Sequence, residues 1–172
     1  HIYFMGIGGT GMAAVAGLCQ EAGYKITGSD KGIYPPMSYM LEELGIAVAT
    51  PYAADNVASA NADLVVIANA LSRGNEEIEY VLENDVNHTS FPDLLGELFL
   101  KDRSSVVISG THGKTTTSSI VSYMLYELGE DPSFFIGGIP RNFPRSFHLG
   151  KGPLFVLEGD EYDTAFFDKG PK

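Results

Sequence analysis

The sequence predicts a protein of the α/β class, in which parallel strands alternate with helices. Short apolar runs alternate with segments whose apolar residues recur every three or four positions. Two of these apolar runs lead directly into glycine-rich turns that open helical segments. The 172 residues, 44% hydrophobic and 19% charged, suffice for one domain and part of another. Because parallel sheets bind ligands beyond the carboxyl ends of their strands, we expect function at the two glycine turns.

The first part of the chain alternates strands and helices in a regular order. Strands are predicted at 1–5, 25–27, 46–49, 64–68 and 87–91. The first helix follows the turn at 6–11 and has an inward face of Met12, Val15, Ala16 and Cys19. Further helices are predicted at 35–44, at 75–83 and from Pro92 onward. This order is typical of a Rossmann-like parallel sheet.

A second α/β unit begins after the charged stretch Lys101–Arg103, which we interpret as a domain boundary. A strand at 106–108 leads into a helix from Thr115 to Leu128, and further strands follow at 134–136 and 154–157. The inward face predicted for this helix consists of Val121, Met124, Leu125 and Leu128. The predicted domains are therefore 1–102 and 103–172, the second being only the first part of a domain.

Composition excludes several function classes. Eleven basic residues against 22 acidic ones give a net charge of −11, which argues against nonspecific binding to nucleic acid or to an anionic membrane. No apolar run approaches the roughly 18 residues needed to cross a bilayer. The sole cysteine, Cys19, cannot form an internal disulfide, and no secretory segment is apparent, so we expect a cytoplasmic protein. A phosphate ligand would have to be held locally, by amides, a lysine or a metal.

The run Gly110–Thr117 predicts a site for a nucleoside triphosphate. Its glycines let the backbone approach phosphates, Lys114 adds a positive charge, and the Thr115 hydroxyl can ligate Mg²⁺. Its two glycines are separated by two residues instead of the usual four, so the generic phosphate-loop pattern is only partly met. The alternative is a glycine turn that carries a surface lysine. The strand before the run and the helix after it favour the phosphate loop.

The earlier turn, Gly6–Met12, contains the spacing G-x-G-x-x-G after a strand and at the start of a helix. This pattern fits a diphosphate, and Asp30 at the end of the next strand can accept hydrogen bonds from a ribose or a base. Taken alone, these features suggest an NAD-dependent dehydrogenase, or glycines that serve only close helix packing. A hydride-transfer enzyme, however, needs no triphosphate site about a hundred residues further on.

An acidic cluster, Glu158–Asp163, follows the strand at 154–157. Carboxylate oxygens suit Mg²⁺, and a strand end next to a phosphate loop is where a second protein ligand to the metal belongs. We therefore expect Glu158 and Thr115 to be metal ligands. The alternative is a solvated acidic turn.

With these three features together, the sequence resembles the Mur ligase family, the ATP-dependent enzymes that extend the peptidoglycan precursor. The resemblance covers Gly6–Met12, Gly110–Thr117 with its short glycine spacing, and Glu158–Glu161. It implies an amide ligase that uses ATP and Mg²⁺ and forms an acyl phosphate. Within the family the chain is most similar to members that join UDP-N-acetylmuramate to the murein tripeptide L-alanyl-γ-D-glutamyl-meso-diaminopimelate in cell-wall recycling. The members that add L-alanine to the same nucleotide are the alternative.

The resemblance also implies roles for individual residues. Lys114 and Glu158 would be catalytic. The ATP phosphates would lie against Gly110, Thr111, His112, Gly113, Lys114, Thr115 and Thr116. The uridine nucleotide would lie against Gly8, Gly9, Thr10, Gly11, Met12, Asp30, Ser72 and Asn75. His112 either lines the phosphate site or only shapes the loop. The family has a third domain that binds the incoming peptide, so we expect this chain alone to bind the uridine nucleotide without catalysing ligation. A noncatalytic nucleotide-binding module stays open as another class.

Overall fold

The protein is described by a computed structural model, over residues 1–159. The predicted acidic residues Asp160, Glu161 and Asp163 lie outside the described residues. Contacts divide the chain into two compact units, His1–Leu94 and a second that begins at Leu95. This division falls within a helix, somewhat earlier in the chain than the predicted boundary after Asp102.

The first unit is built on a parallel sheet of five strands in the order β3-β2-β1-β4-β5. The strands are β1 (Ile2–Met5), β2 (Ile26–Ser29), β3 (Ala47–Ala49), β4 (Leu64–Ile67) and β5 (His88–Ser90). The chain order reverses direction across the sheet at β1, whose neighbours are β2 and β4. The predicted α/β class and parallel sheet are therefore confirmed.

Helices connect these strands. They are α1 (Thr10–Glu21), α2 (Met37–Glu43), α3 (Ala54–Ala60), α4 (Glu76–Glu83) and α5 (Phe91–Leu95), which continues into a wide π-type turn at Gly96–Leu100. All four residues predicted to face inward on α1 are buried. The sequence did not predict α3, because only Val57 of its seven residues is buried and no apolar period marks it.

One hydrophobic cluster of the first unit lies between the sheet and the helices α3 and α4. Its buried members are Tyr3, Met5, Val57, Val65, Ile67, Ile78 and Val81. β2 requires glycine at position 28, because a Cβ there would lie 2.4 Å from the carbonyl oxygen of Phe4 on β1. Close packing of β1 and β2 thus fixes where the loops at their carboxyl ends begin.

The second unit contains four strands in the order β6-β9-β7-β8. They are β6 (Ser104–Ser109), β7 (Ser133–Phe135), β8 (Phe147–His148) and β9 (Leu154–Gly159). β6 and β7 pair with β9 in parallel, whereas β8 pairs with β7 in antiparallel fashion. β8 was not predicted, since two residues give no readable period.

The helix α6 (Lys114–Glu127) packs differently from the prediction. Met124 and Leu128 are 58% and 74% exposed, so their predicted inward position is wrong. The fully buried side chains of α6 are instead Ser118 and Ser122. Small residues at the helix–sheet contact allow the helix to lie close to the sheet, which an apolarity pattern cannot show. Of the helices within residues 1–159, none has the length and apolar content to span a membrane.

Candidate nucleotide-binding sites

The first glycine loop joins β1 to α1 at the carboxyl edge of the sheet. Gly6 has a φ of 78°, a left-handed conformation that favours glycine. The amides of Gly6 and Ile7 donate to the carbonyl of Ser29 on β2, at 2.8 and 3.1 Å. α1 begins without a side-chain cap and without an acidic residue in its first turn. The amides at this helix start are therefore suited to an anion.

Asp30 faces this loop. Its Oδ2 accepts from the amide of Gly8 at 2.8 Å, and its Oδ1 accepts from the amide of Gly32 at 3.2 Å. A Cβ at Gly8 would lie 2.8 Å from Oδ2, so a larger residue would displace this carboxylate from its present position. In this arrangement Asp30 fixes the loop, whereas the sequence suggested that it receives hydrogen bonds from a ribose or base.

The other residues predicted for the uridine nucleotide fall in two places. Gly9 and Thr10 are exposed at the start of α1, whereas the Met12 side chain is buried. Ser72 is exposed in the loop before α4, and Asn75 caps that helix by accepting from the amides of Glu77 and Ile78. The Asn75 side chain is thus engaged in the cap, while the exposed Ser72 hydroxyl is accessible from solvent.

Negative charge surrounds this loop. Burial raises the pKa of Tyr52 to about 12, and the carboxylates of Asp30 and Glu77 add to the increase. Glu77 is fully buried in the first turn of α4, and its burial was not predicted because acidic residues at helix starts are ordinarily solvated. A phosphate at this loop would therefore have to be held by backbone amides and the helix start.

The second glycine loop joins β6 to α6. Gly110 and Gly113 have φ angles of 145° and 78°, which favour glycine at both positions. α6 also begins without a side-chain cap or a first-turn acid. The ammonium of Lys114 donates to the carbonyl of Gly110 at 2.9 Å, across the loop it follows. The loop residues 110–113 are exposed.

Glu158 lies beside this loop at the end of β9. The Thr115 hydroxyl donates to its Oε2 at 3.3 Å, and the Gly137 amide donates to its Oε1 at 3.1 Å. The carboxylate is 5% exposed, and pairing with β6 places Glu158 opposite Ile108. A pocket of about 450 Å³ opens here, lined by Thr111, His112, Gly113, Lys114, Thr115, Thr116, Gly137 and Glu158. The structure thus brings together every residue predicted for ATP except Gly110, and adds Gly137.

The donor set of this pocket fits a magnesium ion. Within residues 1–159, no group of three or more His, Cys, Asp or Glu side chains forms a metal site. A hydroxyl and one carboxylate in contact suit Mg²⁺, which binds hard oxygen ligands and retains several waters. His112 lines the same pocket, with its Nδ1 3.2 Å from the Thr111 hydroxyl, so both interpretations of its role stay open.

A parallel sheet that carries a glycine loop, and a second unit with a glycine loop beside a buried carboxylate, define an α/β nucleotide-binding protein. A family model described as "Mur ligase family, catalytic domain" matches residues 1–103. The chain belongs to the Mur ligase family, and the resemblance found from its motifs is confirmed.

Individual relatives refine this assignment. The UDP-N-acetylmuramate–L-alanyl-γ-D-glutamyl-meso-2,6-diaminoheptandioate ligase of Haemophilus influenzae is 48% identical over 172 residues, all of this chain and 38% of the relative. A UDP-N-acetylmuramate–L-alanine ligase of Chlorobium phaeobacteroides is 37% identical, over 99% of this chain and 36% of the relative. The crystal structure of a murein peptide ligase from Psychrobacter arcticus matches with a TM-score of 0.93 at 39% identity, over 99% of this chain and 39% of that one. The chain therefore spans well under half the length of these relatives.

Proposed function

We propose that this chain is the nucleotide-binding part of an ATP-dependent ligase that joins UDP-N-acetylmuramate to the murein tripeptide L-alanyl-γ-D-glutamyl-meso-diaminopimelate. Family membership and the names of the most similar relatives support this reaction. The observation that carries the proposal is the contact between Thr115 and Glu158, 43 residues apart, inside the pocket at the start of α6. Because ATP is a co-substrate, we propose that the reaction takes place in the cytoplasm.

The second unit would hold ATP. The Lys114 ammonium lies 2.9 Å from a carbonyl of its own loop, where a phosphate oxygen can replace that weaker, neutral acceptor. Thr115 and Glu158 would hold Mg²⁺, which supplies charge neutralisation for the transferring phosphoryl group. The Gly137 amide keeps the Glu158 carboxylate oriented toward the pocket. These residues act by positioning and by charge, which carry most of the catalysis in phosphoryl transfer.

The first unit would hold the uridine diphosphate against the amides of Thr10, Gly11 and Met12 in the first turn of α1. In the proposed reaction, the carboxylate of UDP-N-acetylmuramate attacks the γ-phosphorus of ATP, and ADP leaves. The tripeptide amine then attacks the carbon of the resulting acyl phosphate, phosphate leaves, and the amine gives up a proton. The new bond is an amide.

Two alternatives are less well supported. Addition of L-alanine is the reaction named for relatives at 35–40% identity, compared with 48% for a relative named for the tripeptide. NAD-dependent oxidation depends on Asp30 as a ribose ligand, yet both its oxygens accept hydrogen bonds from loop amides.

Calorimetric titration separates these functions. We expect the chain to bind UDP-N-acetylmuramate and, with Mg²⁺, ATP, and to bind NAD⁺ far more weakly. The longer protein that we expect to carry this chain should form the amide product with the tripeptide faster than with L-alanine. Tight NAD⁺ binding without uridine-nucleotide binding would overturn the proposal.

A further inference from the structure

Glu77 is the most deeply buried carboxylate among the described residues, and the proposed reaction assigns it no part. Its exposed fraction is 0%. A carboxylate without water is costly unless its oxygens are fully hydrogen-bonded. The protein therefore has a carboxyl group in a buried position where an apolar side chain would need no hydrogen-bond partners.

Four donors surround Glu77, and they come from separate parts of the first unit. Oε2 accepts from the Ser29 hydroxyl on β2 at 2.5 Å. Oε1 accepts from the Tyr3 hydroxyl on β1 at 3.4 Å, from the Ala53 amide at 3.2 Å and from the Asn56 side-chain amide at 2.9 Å. Every donor is a neutral group, and an ionised carboxylate accepts about four hydrogen bonds. The donor set thus matches the charged form of the side chain.

These donors connect Glu77 to the first glycine loop. Ser29 binds Glu77 through its hydroxyl, while its carbonyl accepts from the amides of Gly6 and Ile7 at 2.8 and 3.1 Å. The next residue, Asp30, holds the Gly8 amide. One residue of β2 thus links the buried carboxylate to the start of the loop.

Glu77 also connects to two other loops at the same edge of the sheet. The Ala53 amide belongs to the segment between β3 and α3. The amide of Glu77 itself donates to Asn75, the cap that ends the loop containing Ser72. The Glu77 side chain therefore binds β1, β2, the segment that follows β3, and α3, while its backbone amide takes part in the cap at Asn75.

We propose that Glu77 is a positioning residue for the nucleotide site of the first unit. This inference rests on the proposed function, in which the turn Gly6–Met12 and the start of α1 hold the uridine diphosphate. Being wholly buried, Glu77 does not touch the ligand. It acts through Ser29, by setting where the loop amides point, and through Ala53 and Asn56, by setting the segment between β3 and α3.

The variant Glu77→Gln tests this role with almost no change in volume. Its amide oxygen can keep the three donors on one side, but its NH₂ group meets the Ser29 hydroxyl, which must reverse to accept. We expect the Kd for UDP-N-acetylmuramate to rise about tenfold, the order typical of residues that orient a binding group. The matched control is Val81→Ala, since Val81 lies on the same helix and is also 0% exposed. It should lower the melting temperature and leave the Kd within about twofold. Equal Kd values for the two variants would overturn the inference.

A second readout does not depend on the ligand. We expect amide hydrogen exchange at Gly6, Ile7 and Ala53 to accelerate in Glu77→Gln relative to the rest of the first unit, and not in Val81→Ala. If wild type fails to bind UDP-N-acetylmuramate, the proposed function fails, and this exchange pattern alone decides whether Glu77 orders the loop. If hydrogen exchange accelerated uniformly along the first unit, Glu77 would only stabilise the fold, and the positioning role would be refuted.

Ser29→Ala provides a second route if Glu77→Gln does not fold. It removes the same link from the other side while leaving the Ser29 carbonyl in place. We expect faster exchange at Gly6 and Ile7 and a similar rise in Kd. Unchanged exchange at both amides would overturn the proposed path through Ser29.

Discussion

The two glycine loops of this protein have the same place in a parallel α/β unit but are held in opposite ways. The first is fastened by carboxylates, because Asp30 accepts from the Gly8 amide and Glu77 binds Ser29 beneath the loop. The second is spanned by a lysine, which donates to the carbonyl of Gly110. Both lead into helices that begin without a side-chain cap, unlike α4, which Asn75 caps.

In the proposed function, the two loops would bind their anions by different means. In the first loop, the nearby carboxylates accept hydrogen bonds from backbone amides of the protein itself. These bonds order the loop, and only backbone donors are then presented to a ligand. In the second, a charged side chain and a buried carboxylate face the same pocket, which suits a phosphate with its metal ion. In the proposed function, the first loop would hold its phosphate through backbone geometry and the second through charge.

Lys114→Ala should have the largest effect and should be confined to the second loop. We expect the ligation rate of the longer protein to fall by about 100- to 1,000-fold, since the lysine neutralises charge on the transferred phosphoryl group. Binding of UDP-N-acetylmuramate should not change. Steady-state assays and calorimetry measure the two effects. Lys151→Ala, an exposed lysine of the same unit, is the control. Full ligation activity in Lys114→Ala would mean that catalysis lies elsewhere.

Glu158→Gln should come next. The amide retains an acceptor for Gly137 but loses the charge that attracts Mg²⁺, so we expect ATP affinity at saturating Mg²⁺ to fall about tenfold or more. Titration of ATP at several Mg²⁺ concentrations measures this loss. Glu130→Gln, at an exposed position, should behave as wild type. An unchanged Mg²⁺ dependence in Glu158→Gln would remove Glu158 from the metal site.

Gly8→Ala tests the first loop alone. The added methyl would meet the Asp30 carboxylate at 2.8 Å, which forces the two apart and breaks the Gly8 hydrogen bond. We expect the Kd for UDP-N-acetylmuramate to rise about tenfold, with ATP binding unaffected. The matched control is Gly96→Ala, where a methyl meets no atom within 4 Å. Similar affinities for both variants would show that the Asp30 contact has no influence on the site.

The smallest effect concerns alkaline pH, and it distinguishes the two units. Burial raises the pKa of Cys19 to about 12 from 9.0 and that of Tyr52 to about 12 from 10.0, and it also raises the pKa of Tyr3. The folded state keeps these groups protonated. Their contribution to stability is therefore complete below pH 9 and declines as pH rises toward 12.

All three groups lie in the first unit, so we expect hydrogen exchange there to accelerate before that of the second unit as pH rises above 9. Exchange rates have to be corrected for intrinsic base catalysis. Tyr52→Phe, which removes one ionising group, should leave the onset in place and make the loss of stability above pH 10 less steep. Simultaneous opening of both units would contradict this order.

The sequence predicted most of the fold and one of the two sites in detail. Apolar runs identified the strands, and the strand before and the helix after Gly110–Thr117 identified the loop that Lys114 and Thr115 follow. The contact between Thr115 and Glu158 followed from the rule that strand ends meet at one edge of a sheet. Short-range patterns were sufficient here because each group lies at a strand end or a helix start.

The remaining errors have physical causes. The inward face of α6 combines the predicted Val121 and Leu125 with two buried serines, so apolar spacing wrongly selected Met124 and Leu128. Glu77 was missed because its burial depends on donors that are 21 to 74 residues away in the chain. Long-range polar contacts of this kind leave no local pattern.

The register of β6 and β9 has a consequence for folding fidelity. Ile108 pairs with Glu158, and successive residues of a strand face opposite sides of a sheet. A slip by a single position would present Leu157 or Gly159 where the carboxylate belongs, in a molecule that could still be compact. A preparation that contains the slipped register would have the expected size and secondary structure, and the slipped molecules would still lack the Glu158 carboxylate at the site. A Mg²⁺-dependent ATP titration would count the correctly registered fraction.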